Sequence, residues 1–331
     1  MELAFFYFLL LGFAILMYVV LDGFDLGLGI LYPWFDDESQ RDHMMRSISH
    51  VWDGNETWLV FGGVVLFAAF PVAYGAILST LYVPIMIMLI ALIFRGVAFE
   101  YRFKAHRSKP WWDKAFAIGS SVAAFCQGLM LGALVQGVEA DAIDGSSLNW
   151  LSPFSVLTAF SVMAGYALLA SCYLAMKSRG VIRDRAARLG RRLVVAVLVA
   201  MALVSLWTLV EAPEIRARWF DGYHLLLLSP LPLLSLGAGW LLFHDLGEKR
   251  HEQRPFFLAV ALFVLSFAGL VVGLFPYLLP RQLTFQQAQA PESALLFLLP
   301  GVLIFIPLIC AYTLWGYRIF SGKVEDFEEG Y

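Results

Sequence analysis

Charge is scarce in this chain. Asp, Glu, Lys and Arg make up only 15% of its 331 residues, against 60% hydrophobic, which excludes an ordinary soluble globular domain. The net charge of −3 says little about partners, and nothing points to nucleic acid. Cysteine is scarce too. Cys126, Cys172 and Cys310 stand far apart in apolar runs, with no CxxC, no CxxCH haem-attachment motif and no metal-ligand spacing. They read as small buried hydrophobes, and no metal site is expected. There is no P-loop and no dinucleotide-binding fingerprint, because the glycines of GFDLGLG follow an apolar helix rather than a strand. The N-terminus lacks a basic region, and no small-residue cleavage site closes its apolar run, so residues 3 onward read as a retained span. No repeat and no soluble domain interrupts the chain.

What the chain has in abundance is apolar sequence and aromatic side chains, with 28 Phe and 10 Trp suited to lipid-facing surfaces and interfacial belts. Crossing a bilayer takes about 20 apolar residues. Nine segments qualify, at 3–31, 52–70, 75–100, 113–137, 152–176, 192–211, 223–243, 256–279 and 293–317. Pro84, Pro230, Pro232, Pro276, Pro300 and Pro307 fall inside them, where neighbouring helices or water satisfy the freed carbonyls. Basic residues set the orientation. Of the 23 Lys and Arg, only Arg216, Arg218 and Arg281 fall on one side, and Arg95 lies within span three. All the others cluster at the opposite side, which the positive-inside rule assigns to the cytoplasm, leaving the N-terminus outside. The acidic connection VEADAIDGSSLNW fits the outer side. Five of the six histidines lie near the cytoplasmic side, and His224 lies at the outer end of span seven. No pair is placed to sandwich a haem within this chain, although a single ligand at an edge stays open.

Ionisable residues in or beside the spans are the functional candidates. Span one ends in LDGFDLGLGIL, with Asp22 and Asp25 at i, i+3 on roughly one helical face. Gly23 and Gly27 form a GxxxG that lets another backbone approach. Two readings stand for the acids. Either they reach water, since residue 22 lies about 28 Å along the helix from Leu3, or the apolar run through Leu31 marks a long helix packed within protein. Span two opens with VWDGNETW. Asp53 and Glu56 have the D-x-x-E form of a capping box and suit the positive end of a helix. Yet Asn55, Trp52 and Trp58 add polar handles that capping does not require. His43, Met44, Ser47, His50 and Val51 also stand at helical spacing, which would start the helix earlier and leave Asp53 in mid-helix. A carboxyl held away from bulk water can exchange protons near neutral pH. Arg95, unpaired in lipid, would cost at least ~2.5 kcal/mol. It either snorkels to the headgroups or faces Asp25, Asp53 and Glu56 at the same depth. Glu100, about 140° around the helix from Arg95, pairs instead with Lys104. Spans one to three thus suggest a polar cluster on the inner side. A secondary transporter would also keep carboxylates among its spans, but nearer mid-bilayer and with an inverted repeat.

LDGFDLGLGIL, the R-x-x-M-x-x-x-I of RDHMMRSI, VWDGNETWLVFGGVVLFAAFPVAYG and IFRGVAFEYRF, in that order, closely resemble subunit II of cytochrome bd-type quinol oxidases. These motifs occupy the first 105 residues, and the remainder is similar in topology; the short length and compact loops look like the cyanide-insensitive branch. The resemblance implies an all-α polytopic membrane protein, a single integral domain over 1–331. Its nine transmembrane helices would form two four-helix bundles plus one peripheral helix in the bacterial cytoplasmic (inner) membrane. It also implies a haem-bearing subunit I, which carries haems b and d and the quinol site, and small single-helix accessory subunits. No residue of this chain would be catalytic. The complex would reduce dioxygen to water with electrons from quinol and protons from the cytoplasm. Asp53 would then be the proton-path carboxylate with Trp52 beside it. Asp25, Glu56 and Arg95 would share that path, supported by Asp22 and Asn55. Some relatives hold a quinone structurally in this subunit, and no residue here is assigned to one.

Overall fold

A computed structural model of the chain describes residues 2–137, 148, 150–220, 222–248 and 251–324. The first helix, α1 (Glu2–Leu31), runs unbroken through its apolar sequence until Pro33 turns the chain through a 3₁₀ segment at Tyr32–Trp34. Asp37 then caps α2 (Glu38–Ile48) by accepting the Ser39 amide at 2.9 Å. An elbow at residues 49–51 separates it from α3 (Trp52–Ala69). Pro71 opens the short α4 (Pro71–Thr80), and a turn at Leu81 leads into α5 (Tyr82–Arg102). After α6 (Lys109–Gln136), the Ser152–Ser155 capping box starts α7 (Pro153–Lys177). Then follow α8 (Gly180–Glu211), α9 (Pro213–Phe220), α10 (Gly222–Leu228), α11 (Pro230–Glu248) and α12 (Arg254–Leu274). A small antiparallel hairpin, β1 (Tyr277–Leu279) with β2 (Leu283–Thr284), and the one-turn α13 (Phe285–Ala288) precede α14 (Glu292–Ile319).

Among the described residues, seven helices are long and apolar enough to cross a membrane: α1, α5, α6, α7, α8, α12 and α14. The other two expected spans correspond to α3 and α11, which are 18 and 19 residues long and carry acids at one end. Several expected boundaries move. Residues 75–80 belong to α4, because Pro71 cannot continue α3 and the chain restarts there. The basic residues 183–192 lie on α8, which begins at Gly180 rather than 192. Span seven is broken at Ser229–Pro230, and span eight stops at Leu274, ahead of the hairpin. Proline follows the same logic. Pro84, Pro230 and Pro232 stand in the first turns of their helices, where a missing N–H costs little, and Pro276 follows α12. Only Pro300 and Pro307 interrupt a helix interior, that of α14. The acidic connection 138–150 lies almost wholly outside the described residues.

The core is organised around α1. α3, α6 and α7 pack along it, α5 pairs with α6, and α6 with α7. α7 also meets α8 and α12, which both meet α11, while α14 lies against α3 and α1. From Asp22 to Leu31 every residue of α1 is buried. Gly27 makes this possible. A Cβ there would run into the Tyr166 carbonyl oxygen, so α7 can approach only a glycine, as the GxxxG spacing predicts. The outer faces are apolar and bare. Phe297, Phe305, Tyr312 and Trp315 of α14 and Val60, Val64 and Phe67 of α3 are all exposed.

Candidate functional site

Arg95 is the centre of the inner-side cluster. Its side chain is completely buried, so it does not snorkel. One guanidinium nitrogen, Nη1, donates to Asp22 Oδ1 at 2.7 Å, and the other, Nη2, to Glu56 Oε1 at 2.7 Å. The fork of the guanidinium thus ties α5 to α1 and α3 at once. Its face lies 6.0 Å from the Trp52 ring, which stacks on Phe99 at 5.0 Å with the planes 7° apart. Asp25 does not meet Arg95 in a salt bridge. It accepts instead from Asn55 Nδ2 at 2.8 Å, and Tyr317 of α14 donates to Asn55 Oδ1 at 2.9 Å. Asp22 and Asp25 are both fully buried, which decides between the two readings of span one. Glu56 keeps 25% of its side-chain surface open and is the cluster's point of access.

The opening of α3 corrects both readings of Asp53. The elbow at 49–51 breaks the helix after α2, so Asp53 is not in mid-helix. Val51, not Asp53, is the N-cap, and it makes no side-chain capping bond. Asp53 lies exposed in the first turn, where the dipole favours an acid. It is one turn from Glu56 but outside the Arg95 cluster, so of the sequence candidates Asp22 and Glu56, rather than Asp25 and Asp53, pair with the arginine. Glu100 and Lys104 stand 4.0 Å apart on the surface, as the spacing predicts.

Three arrangements went unseen in the sequence. Tyr317 belongs to the last helix, 262 residues from Asn55, and no local pattern could reveal it. Beside the cluster, Tyr166 donates to Gln127 Oε1 at 2.6 Å and Gln127 Nε2 donates to Tyr18 at 2.7 Å; an unexplained glutamine within span four was its only signal. The third is a second ionic network on α5. Arg102 is fully buried and holds Asp113 of α6 and, at 2.6 Å, Asp42 of α2. Asp113 also meets Arg41 at 3.3 Å and accepts from Tyr32 at 3.0 Å; Lys109 joins Glu38 to Asp42.

Among the described residues the histidines do not converge. His43 contacts Ser178 at 2.7 Å, the His50 ring lies 4.0 Å from that of Phe320, and His244 meets Trp240. Burial and the Lys177 ammonium push the His50 imidazole down to about 4. Among the described residues no three of His, Cys, Asp and Glu gather to hold a metal ion. Cys126 and Cys172 are buried free thiols and Cys310 is half-buried.

Comparison with known proteins gives a consistent answer over nearly the whole chain. The chain is 28% identical to "Cytochrome bd-I ubiquinol oxidase subunit 2" of Escherichia coli (strain K12), covering 98% of this chain and 97% of that protein. It is 25% identical to "Cytochrome bd ubiquinol oxidase subunit 2" of Bacillus subtilis (strain 168), covering 97% of each. A chain in the solved structure of bd oxidase from Geobacillus thermodenitrificans superposes with a TM-score of 0.80 at 17% identity, over 97% of this chain and 99% of that one, which establishes the shared fold. The sequence pattern of the family described as "Cytochrome bd terminal oxidase subunit II" matches residues 3–320. The transporter reading falls away: the chain belongs to the subunit II family of cytochrome bd terminal oxidases.

Proposed function

We propose that this chain supplies part of the cytoplasmic proton-uptake path of its oxidase and anchors the haem-bearing subunit I. The observation that carries this reading is the composition of the buried cluster. Asp22 and Glu56 share one cation, Arg95, and among the described residues the neighbouring Asp25 has only the neutral Asn55 as hydrogen-bond partner. Buried carboxylates in excess of cations are relieved by taking up protons. Water formation consumes one proton per electron, and low-dielectric protein does not conduct protons without relays. The exposed Asp53 collects protons at the mouth and Glu56, one turn deeper, passes them inward. Trp52 walls this entrance beside Arg95, and Asp22, Asp25 and Asn55 line the interior.

In this reading nine helices span the bacterial inner membrane as one integral unit over 1–331, with the N-terminus outside and the C-terminus cytoplasmic. α1, α3, α5 and α6 form one four-helix bundle, α7, α8, α11 and α12 a second, and α14 is peripheral. Family membership brings haem into the complex. The described histidines offer no converging pair for it, so the reading assigns haems b and d to subunit I, with electron transfer to dioxygen there. Single-helix accessory subunits and a structural quinone complete the expected assembly, with no residue here assigned to them.

The test is quinol-driven oxygen consumption, normalised to haem, in the purified complex. Asp53→Asn and Glu56→Gln should slow turnover while haem content stays normal. Unchanged turnover in both would sink the relay, and loss of haem in both would mark the cluster as structural scaffolding.

A further inference from the structure

The Asn55 amide sits between a carboxylate and a phenol, and only one of its two orientations suits both. With Nδ2 toward Asp25 and Oδ1 toward Tyr317, the amide donates to Asp25 Oδ2 at 2.8 Å, reaches the Leu21 carbonyl at 3.4 Å, and accepts the phenolic hydrogen at 2.9 Å. Flipped, the amide carbonyl would face the carboxylate, lone pair against lone pair. The phenol supplies the donor that holds the first orientation. The remaining oxygen, Asp25 Oδ1, is buried with no hydrogen-bond partner, a costly state that a bound proton or water relieves.

Helix α14 is otherwise a poor candidate for contact with the interior. Leu295 is its only buried residue, and most of its surface is bare. Yet its cytoplasmic end is fastened. Lys177 of α7 donates to the Phe320 carbonyl, Phe320 lies against His50, and Lys323 donates to the Met176 carbonyl at 2.8 Å. The Tyr317 ring also rests edge-on against Phe24 at 6.5 Å. These contacts deliver one hydroxyl from a peripheral helix to a fixed depth beside the acids.

We infer that Tyr317 is a positioning residue of the oxidase: by donating to Asn55 it fixes the amide as a donor to Asp25 and leaves Asp25 Oδ1 as the atom that receives a proton. The step is a proton arriving on Oδ1 and leaving from it again, while the bonds of Asn55 and Tyr317 stay intact. The inference rests on the proton-path reading above.

The experiment is a double-mutant cycle on the whole complex, reading haem content, oxygen consumption per haem and its pH profile. Tyr317→Phe keeps the ring on Phe24 and removes only the hydroxyl. It should assemble with normal haem, slow turnover roughly threefold to tenfold, the scale of one ordinary hydrogen bond, and displace the pH profile. In an Asn55→Ala background, or Asn55→Leu if the alanine variant does not assemble, Tyr317→Phe should add nothing. Wild-type turnover and pH profile in Tyr317→Phe would overturn the inference while leaving the path intact, provided Asn55→Ala is slow. Equal slowing in both backgrounds would overturn it too, since Tyr317 would then act independently of Asn55. Lost haem in Tyr317→Phe would reduce the residue to a structural contact. Wild-type turnover in Asn55→Ala would instead undermine the path at Asp25.

Discussion

Arg95 and Arg102 stand seven residues apart on one face of α5, about 10 Å along the helix, and both are fully buried. Their surroundings differ in one respect. Around Arg102 three acids, Glu38, Asp42 and Asp113, meet three cations, Arg41, Arg102 and Lys109. Around Arg95 two acids, Asp22 and Glu56, share a single cation, and a third, Asp25, is held by the neutral Asn55. A balanced network has no reason to exchange protons and every reason to hold α2, α5 and α6 in place. An acid-rich one, closed off except at Glu56, is relieved when a carboxyl takes up a proton, which is the property the proposed path uses. Equal burial of two arginines therefore does not imply equal surroundings, and the count of partners is what distinguishes the proposed relay from the proposed clamp.

Removing either arginine tests that contrast. Arg95→Leu strands Asp22 and Glu56 without a cation, and breaking a buried pair in this way costs about 3–5 kcal/mol. We expect a sharp fall in the yield of haem-loaded complex; normal yield would mean that the acids are already neutral without the arginine. Arg102→Leu should cost less, about 1–3 kcal/mol, because Asp42 and Asp113 keep Lys109 and Arg41. The melting temperature of the complex should drop while turnover per haem is retained, and lost turnover in the surviving complex would erase the distinction.

The elbow between the two networks gives a smaller, pH-dependent effect. His50 has its imidazole pushed down to about 4 from an ordinary 6.5, so the packed state favours its neutral form. The stabilisation is complete above about pH 6.5 and is lost as pH falls toward about 4. Hydrogen exchange around Phe320, whose ring packs against it, should accelerate over that window beyond the chemical rate, and His50→Gln should abolish the extra acceleration. An identical pH course in both proteins would remove His50 from the account.

How much of this was readable beforehand depended on distance along the chain. Long apolar runs announced the helices, and Asp22, Asp25, Asn55, Glu56 and Arg95 were conspicuous because charge is expensive in such runs. The pairing was not readable. Asp22 and Asp25 share a helical face, and nothing local says that Asp22 is the one to reach an arginine 73 residues later. The position of Asp53 turned on an elbow that helical spacing alone could not see. Gln127 and Tyr317 matter only through partners far away in sequence. Helix ends moved where prolines or charged turns let a helix start earlier or restart, as at α4, α8 and α11.

If the proposed path is right, the acid-rich network moves protons and the balanced one does not. Its most direct test is the rate of proton uptake from the cytoplasmic side during a single turnover of the reconstituted complex, comparing Glu56→Gln with Asp113→Asn at equal haem content. Uptake should slow in Glu56→Gln and keep the wild-type rate in Asp113→Asn. Wild-type uptake in Glu56→Gln, or equal slowing in both, would contradict it.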